Sequence, residues 1–229
     1  MLNQAIKYYG SKASFAHRYA MPKCDTIIEP FAGGASYALR YPWHKVILSD
    51  LDDRLIAVWR YLTASSAPTK VRRLPILQIG QVVNDLSELC DEERWIIGWW
   101  IHTGDHAPRS KPSPHCCNGA GFWGEERRER LAVLSSSISH WDVRKCSFLD
   151  LPNVRATWFV DPPYSKAGKR YKHGSDKLDF GALGDWCRSR RGQVIVCENE
   201  GAAWLPFERL CEVNGVARKT SVEVAWNGP

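Results

Sequence analysis

Apolar residues gather in a few short, dense runs, and the spacing of apolar positions changes along the chain. Thr26-Ile27-Ile28, Val46-Ile47-Leu48, Thr157-Trp158-Phe159-Val160 and Gln193-Val194-Ile195-Val196-Cys197 are apolar at successive positions. Runs of this kind predict strands covered on both faces, as in a parallel sheet. After Leu51-Asp52-Asp53-Arg54 the apolar positions 55, 56, 58, 59 and 62 follow helical spacing, with Asp52 or Asp53 as the N-cap. Helices are also predicted after Lys12 as far as Ala20, after Ser36 as far as Arg40, and over 92–102, 125–139 and 179–190. Two short strands, near 207–213 and 221–225, finish the chain.

Strand and helix alternate up to residue 63 and again from 141, which predicts an α/β domain made of 1–63 and 141–229. Between 64 and 140 the alternation stops. Ser65-Ser66-Ala67-Pro68 reads as a linker, and residues 102–124 are rich in Gly, Pro, Ser and His. So long an irregular stretch inside a compact domain is usually functional or disordered. We read 64–140 as a small helical insertion, with Trp95 and Trp99 in its core and Arg109, Lys111, Arg127 and Arg128 exposed.

At 229 residues the chain suits one such domain, and 44% hydrophobic with 24% charged residues is a globular composition. A net charge of +6 suits a polyanionic partner without requiring one. Eleven Trp and eight Tyr exceed what a core of this size needs, which leaves rings for stacking on ligands. The eight Cys are irregularly spaced and partly within apolar segments, as expected of free thiols in a reducing compartment. No apolar leader and no membrane-length run appear, so a cytoplasmic protein is expected. His102, His106, His115, Cys116 and Cys117 lack the spacing of a zinc site, and no metal is expected.

The chemistry concentrates where strands end. Thr157–Val160 stops at Asp161-Pro162-Pro163-Tyr164. Two prolines fix φ and remove N–H donors, so the chain leaves the sheet as a stiff loop. That loop offers a carboxylate, a free carbonyl and a ring, which suits a planar heterocycle bearing an amino group, although a surface turn has the same composition. Thr26–Ile28 delivers Glu29-Pro30-Phe31-Ala32-Gly33-Gly34-Ala35-Ser36, an acid followed by close-packed glycines. This is neither GxGxxG nor the lysine-bearing phosphate loop, and it suits a small, positively charged cofactor better than a pyrophosphate. Val46–Leu48 ends at Ser49-Asp50, about twenty residues on, where such units place an acid on ribose hydroxyls. The stretch Ile6-Lys7-Tyr8-Tyr9-Gly10-Ser11-Lys12 offers a ring in Tyr8 and a cation in Lys12. The basic loop 165–173, with Lys166, Lys169 and Arg170, reads as a flexible cover for a substrate or as a solvated connection.

Taken in order, Lys7–Lys12, Glu29–Ser36, Ser49–Asp53 and Asp161–Tyr164 resemble the Dam-type, D12 class DNA adenine-N6 methyltransferases, particularly short phage-borne members. The resemblance spans about two thirds of the chain and is weakest over 64–140. It implies a class I S-adenosylmethionine-dependent fold, Rossmann-like, with a mostly parallel seven-stranded sheet and helices on both faces. It makes 64–140 the target-recognition subdomain. It implies cofactor contacts from Tyr8, Lys12, Glu29, Phe31, Ala32, Gly33, Asp50, Phe148 and Asp161. Ser147 stands where many relatives carry an acid, a role Asp150 could take over. It implies catalysis by Asp161, Pro162, Pro163 and Tyr164 on an adenine flipped from DNA, and DNA contacts from Arg109, Lys111, Arg127, Arg128, Lys166, Lys169 and Arg170. An RNA adenine or protein-glutamine N-methyltransferase, and a catalytically idle nucleic-acid-binding module, are the alternatives.

Overall fold

A computed structural model describes residues 4–78, 80–102, 104–112, 121–214 and 220–228. Seven strands form one sheet: β1 (Thr26–Glu29), β2 (Lys45–Asp50), β3 (Asp142–Lys145), β4 (Ala156–Val160), β5 (Gly192–Asn199), β6 (Glu208–Asn214) and β7 (Thr220–Asn227). Their spatial order is β3-β2-β1-β4-β5-β7-β6. β1 to β5 run parallel, and β7 lies antiparallel to both β5 and β6. This mixed α/β arrangement is the class I methyltransferase fold expected from the sequence.

The continuous apolar runs are buried on both faces because alternate residues feed two different cores. Ile27, Phe159 and Ile195 join one core, with α1 (Asp53–Thr63), α3 (Asp91–Trp100) and α4 (Glu125–Ser137). Ile28, Trp158, Val160, Val194 and Val196 join the other, against α5 (Phe180–Arg188). All five residues of β4 are buried. α1 buries Leu55, Ile56, Val58, Trp59 and Leu62, the five apolar positions of its pattern, and the Asp52 carboxylate caps it by accepting from the Arg54 N–H.

Some elements differ from expectation. The segment after Lys12 makes only a 3-10 turn at Ala16–Arg18. Beyond it the Ala20 carbonyl accepts from the Tyr37 hydroxyl and Tyr19 reaches Glu223, so tertiary bonds take the chain out of the helix. The stretch before Arg40 is likewise a 3-10 turn, Ala38–Arg40, ended by Pro42, which disfavours helical geometry at Tyr41. Ser65–Pro68 is not a free linker: α2 (Ala67–Arg73) starts there, with Pro68 in its first turn, where a missing N–H costs nothing.

Seven tryptophans, Trp59, Trp99, Trp100, Trp123, Trp141, Trp158 and Trp186, are buried, so most of the aromatic excess is core material. Trp95 is only half-buried, at the rim of a cavity, which corrects its expected place in the core. The helices of 64–140 share a core with the sheet: Ile96, Ile97, Trp99 and Trp100 pack in the cluster that holds Ile6, Leu48 and Trp59. Trp100 Nε1 donates to the Ala5 carbonyl at 2.9 Å, and Trp123 Nε1 to that of Pro75 at 2.8 Å. The described cysteines are free thiols; His115, Cys116 and Cys117 lie outside the described residues.

Because this core is shared, Ile97→Ala should destabilise the whole domain, by about 2–5 kcal/mol. Urea unfolding followed by far-ultraviolet circular dichroism and by tryptophan emission should give one coincident, shifted transition. Separate transitions would mean that the helices of 64–140 unfold on their own.

Candidate active site

In the strand order, successive connections run outward from β1 through β2 to β3, and from β4 to β5 on the other side. The reversal falls between β1 and β4, which pair through Ile27 with Thr157 and Ile28 with Trp158. Glu29 and Asp161 therefore end adjacent strands at the point where open α/β sheets leave a crevice for ligands.

Asp161 is not solitary there. Its Oδ1 lies 2.8 Å from Lys12 Nζ, and the two side chains are 21% and 6% exposed. Lys12 Nζ also donates to the Gly10 carbonyl at 3.1 Å and stands 4.6 Å from the centre of the Tyr164 ring. Burial opposes the lysine charge, but Asp161 and Glu223 outweigh it and hold the ammonium above the ordinary lysine range. Burial pushes the Asp161 carboxyl up, while Lys12 and its hydrogen bond pull it back.

The segment carrying Lys12 is tied to the glycine loop, so the first and second motifs form one surface. Ser11 Oγ and Ser36 Oγ are 2.8 Å apart. Gly33 has φ +44°, and a side chain there would meet the Tyr8 ring at 3.4 Å. The Gly33 N–H donates to Asp50 Oδ2 at 3.0 Å, and its carbonyl accepts from Trp59 Nε1 at 3.0 Å. The other Asp50 oxygen accepts from the Asp52 N–H at 2.9 Å, so this acid braces the loop. Ala32 is buried, and its N–H donates to the Ser49 carbonyl at 2.9 Å. Phe31 and Phe148 are half-buried with ring centres 5.4 Å apart, and Phe148 meets Trp186 edge-on. Ser147 and Asp150 reciprocally cap the turn Phe148–Asp150, and Asp150 is exposed.

Glu29 is 2% exposed and accepts the Ala38 N–H at 2.7 Å, which starts the 3-10 turn after the glycines. Burial raises its carboxyl to about 8, against the pull of that N–H, with Asp161 adding to the rise.

The loop after Tyr164 is fixed from below. Its Ser165 N–H donates to Glu198 Oε2 at 3.0 Å, and Trp204 Nε1 donates to the same oxygen at 3.1 Å. The Gly168 N–H donates to the Tyr164 carbonyl at 2.7 Å, and a side chain at Gly168 would strike Pro163 at 2.5 Å. Tyr171 then packs near Tyr8 and edge-on to His106, so the loop closes on the N-terminal segment. Among the described residues the Pro162 carbonyl has no hydrogen-bond partner.

Arg109 and Lys111 are exposed as expected, Arg109 paired with Asp105. Arg127 and Arg128 are not free on the surface. Arg127 stacks on the Trp100 ring, 4.1 Å from its centre, and Arg128 Nη1 donates to the Leu74 carbonyl at 2.8 Å. Aliphatic stems on a charged helix cover apolar neighbours, and here the heads find partners inside the fold. Lys166 and Lys169 are exposed; the Arg170 side chain lies outside the described residues.

Residues 8–93 match the model of the D12 class N6 adenine-specific DNA methyltransferases. Over this stretch the chain is similar to that family. The matched stretch holds Tyr8, the glycine loop with Asp50 bound to it, and Lys12, which pairs with Asp161 outside the match. No curated protein matches the chain. The match supports DNA adenine-N6 methylation in general, with DNA as the substrate class. No helix among the described residues is long and apolar enough to cross a membrane.

Sequence reasoning passed over Tyr19, Glu198 and Glu223. Glu198 ends a buried strand, as Glu29 and Asp161 do, and that position was its signal. Glu223 sits between Val222 and Val224 in a predicted strand, an acid where only a buried partner could hold it.

Glu29 supplies a test of this electrostatic setting. A carboxyl raised from 4.5 to about 8 in the fold contributes stability that is complete below its ordinary value and lost as pH rises through about 8. Glu29→Gln keeps the acceptor for Ala38 and removes the titration. Wild type should therefore lose stability relative to Glu29→Gln between about pH 5 and 9. Urea midpoints measured across that range check it, and parallel curves would refute it.

Proposed function

We propose that this protein transfers a methyl group from S-adenosylmethionine to N6 of an adenine flipped out of duplex DNA. One observation carries the reading: the Asp161 carboxylate, anchored by Lys12, is followed at the sheet's switch point by the Pro162 carbonyl, without a partner among the described residues, and by the Tyr164 ring.

The cofactor site fits on the chain's own geometry. The left-handed turn at Gly33, φ +44°, favours glycine and leaves bare backbone facing the Tyr8 ring, where a ligand can approach closely. Tyr8, Phe31, Ala32, Gly33 and Asp50 would hold the methionine and ribose ends, and Phe148 beside Phe31 would pack on the adenine. Glu29 and Lys12 would set the charge of the floor between cofactor and target. When bound, S-adenosylmethionine supplies an electrophilic methyl group on a sulfonium.

The residues' own part follows from hydrogen bonding. With Lys12 on one carboxylate oxygen, Asp161 keeps acceptor capacity for one N–H of the amino group, and the Pro162 carbonyl takes the other. Two such bonds draw N6 toward tetrahedral character and free its lone pair. The carboxylate also stabilises the positive charge that grows on N6 as the new bond forms, an effect aimed at the transition state. Lys12 lies over one face of the Tyr164 ring, and the flipped base would stack on the other. Pro163 keeps the loop stiff and packs against Gly168.

DNA would be held by the basic surface around this crevice, with 64–140 as the target-recognition part. A cavity of about 400 Å³ is lined by Arg54, Arg94, Arg109, Trp95 and Ser110 where that part meets α1. Arg54 has no ion-pair partner among the described residues. Guanidinium groups beside an indole suit phosphate and base together. Lys111, Lys166, Lys169 and Arg170 would extend the contact, and Arg127 and Arg128 would act by fixing the helix. The work would be done in the cytoplasm of a bacterial or phage-infected cell.

Labelled S-adenosylmethionine, offered with unmethylated genomic DNA and with total RNA, followed by nucleoside mass spectrometry, tests the reading. N6-methyladenine should appear in the DNA; label confined to RNA, or none, would overturn it. Asp161→Ala should abolish transfer while the cofactor dissociation constant, read by calorimetry, stays within about threefold. Replacing Arg54 and Arg109 by Ala should raise KM for DNA and lower its salt dependence by about one to two phosphate contacts. An unchanged salt slope would remove the cavity from the DNA surface.

A further inference from the structure

Beneath the crevice lies a carboxylate that the reaction scheme above does not use. Glu223, on β7, is 3% exposed, and its strand pairs with β5 through Asn199. Its Oε1 accepts the hydroxyl protons of two tyrosines, Tyr19 at 2.7 Å and Tyr164 of the catalytic loop. The same oxygen is 4.0 Å from Lys12 Nζ. A charged side chain in the buried middle of a strand is costly unless paired, and these three groups are its partners. Burial raises the Glu223 carboxyl, with Lys12 and the two phenols acting against it.

The geometry explains what one acid can do from there. A phenol whose hydroxyl is held at one end cannot swing about its Cα–Cβ bond, so the ring plane is set before any base arrives. Tyr19 is itself fixed, its ring edge-on to Phe159 with centres 5.0 Å apart. Lys12 stands between Glu223 and Asp161, so the acid also bears on the ammonium that orients the catalytic carboxylate.

We propose that Glu223 is a positioning residue for methyl transfer: it presets the Tyr164 ring directly and Asp161 through Lys12. This rests on the reading of Asp161 and Tyr164 as the adenine site. A group acting in this way works through capture and orientation of the base and leaves cofactor binding aside.

The test uses the full chain with Glu223→Ala, Glu223→Gln, Tyr164→Phe and Tyr19→Phe. Transfer is read on a duplex with adenine at a methylated site, and flipping on a second duplex with 2-aminopurine in its place, a base whose emission rises when it leaves the stack. Glu223→Ala should lower kcat/KM by about 10- to 100-fold and reduce the emission rise, with the cofactor dissociation constant unchanged. Tyr164→Phe, which keeps the ring and loses only the donor, should give part of that loss and add little in the Glu223→Ala background. Glu223→Gln retains an acceptor for both phenols and should restore most of the emission rise, which a generally damaged fold would not do.

Full kcat/KM and emission in both Glu223→Ala and Tyr164→Phe would overturn the inference. So would losses from the two changes that simply multiply in the double variant. Wild-type protein that fails to methylate DNA would instead overturn the reading of the site itself.

Discussion

The structure turns on the ion pair between Lys12 and Asp161. Both groups lie where water is scarce, and removing two charges from water is expensive even when they meet. Such a pair adds little to stability compared with an apolar pair of similar shape, and losing one partner leaves the other buried and uncompensated. What it does supply is location. One oxygen of Asp161 is committed, the orientation of the carboxylate follows, and Lys12 in turn is held by the Gly10 carbonyl and the Tyr164 ring.

Around that pair the chain gathers acids from strands distant in sequence. Glu29 ends β1, Asp161 follows β4, Glu198 is near the end of β5 and Glu223 lies in β7. Each does different work because its neighbours differ. Glu29 starts a turn through the Ala38 N–H, Glu198 pins Ser165 and Trp204, and Glu223 receives two phenols. The stiff loop Asp161–Tyr164 is thus supported from below by two glutamates and from the side by the N-terminal segment. Preorganisation of this kind lets a site act on developing charge without rearranging at the moment of reaction.

The helices of 64–140 are mounted on the sheet rather than hung from it. Trp100 ties to Ala5, Lys7 donates to the Gly121 carbonyl, and Tyr9 donates its N–H to the Asp105 carbonyl at 3.2 Å. Helices that share a core with the sheet keep a fixed relation to the sheet edge that carries Asp161, which the DNA contact proposed for them requires.

The sequence by itself determined the parallel strands, helix α1 with its cap, and the four motif stretches. Those features depend on residues close in the chain: continuous apolar runs, helical spacing, and the fixed φ of proline. It also determined the candidate residues at the strand ends, because any parallel sheet delivers them to one edge. Only the tertiary structure decided what each does there. Lys12 faces Asp161 because β1 and β4 are neighbours, a fact of strand order that no local pattern carries. Arg127 and Arg128 turned inward because Trp100 and the Leu74 carbonyl were within reach, although their charge alone places them in solvent. The turn at Ala16–Arg18 stayed short because the distant bond from Tyr19 to Glu223 outweighed helix propensity, which is worth only tenths of a kcal/mol per residue, whereas Pro42 ended the one at Ala38–Arg40. Glu223 shows the same limit: one acid among valines becomes meaningful only when folding brings Tyr19 and Tyr164 to it.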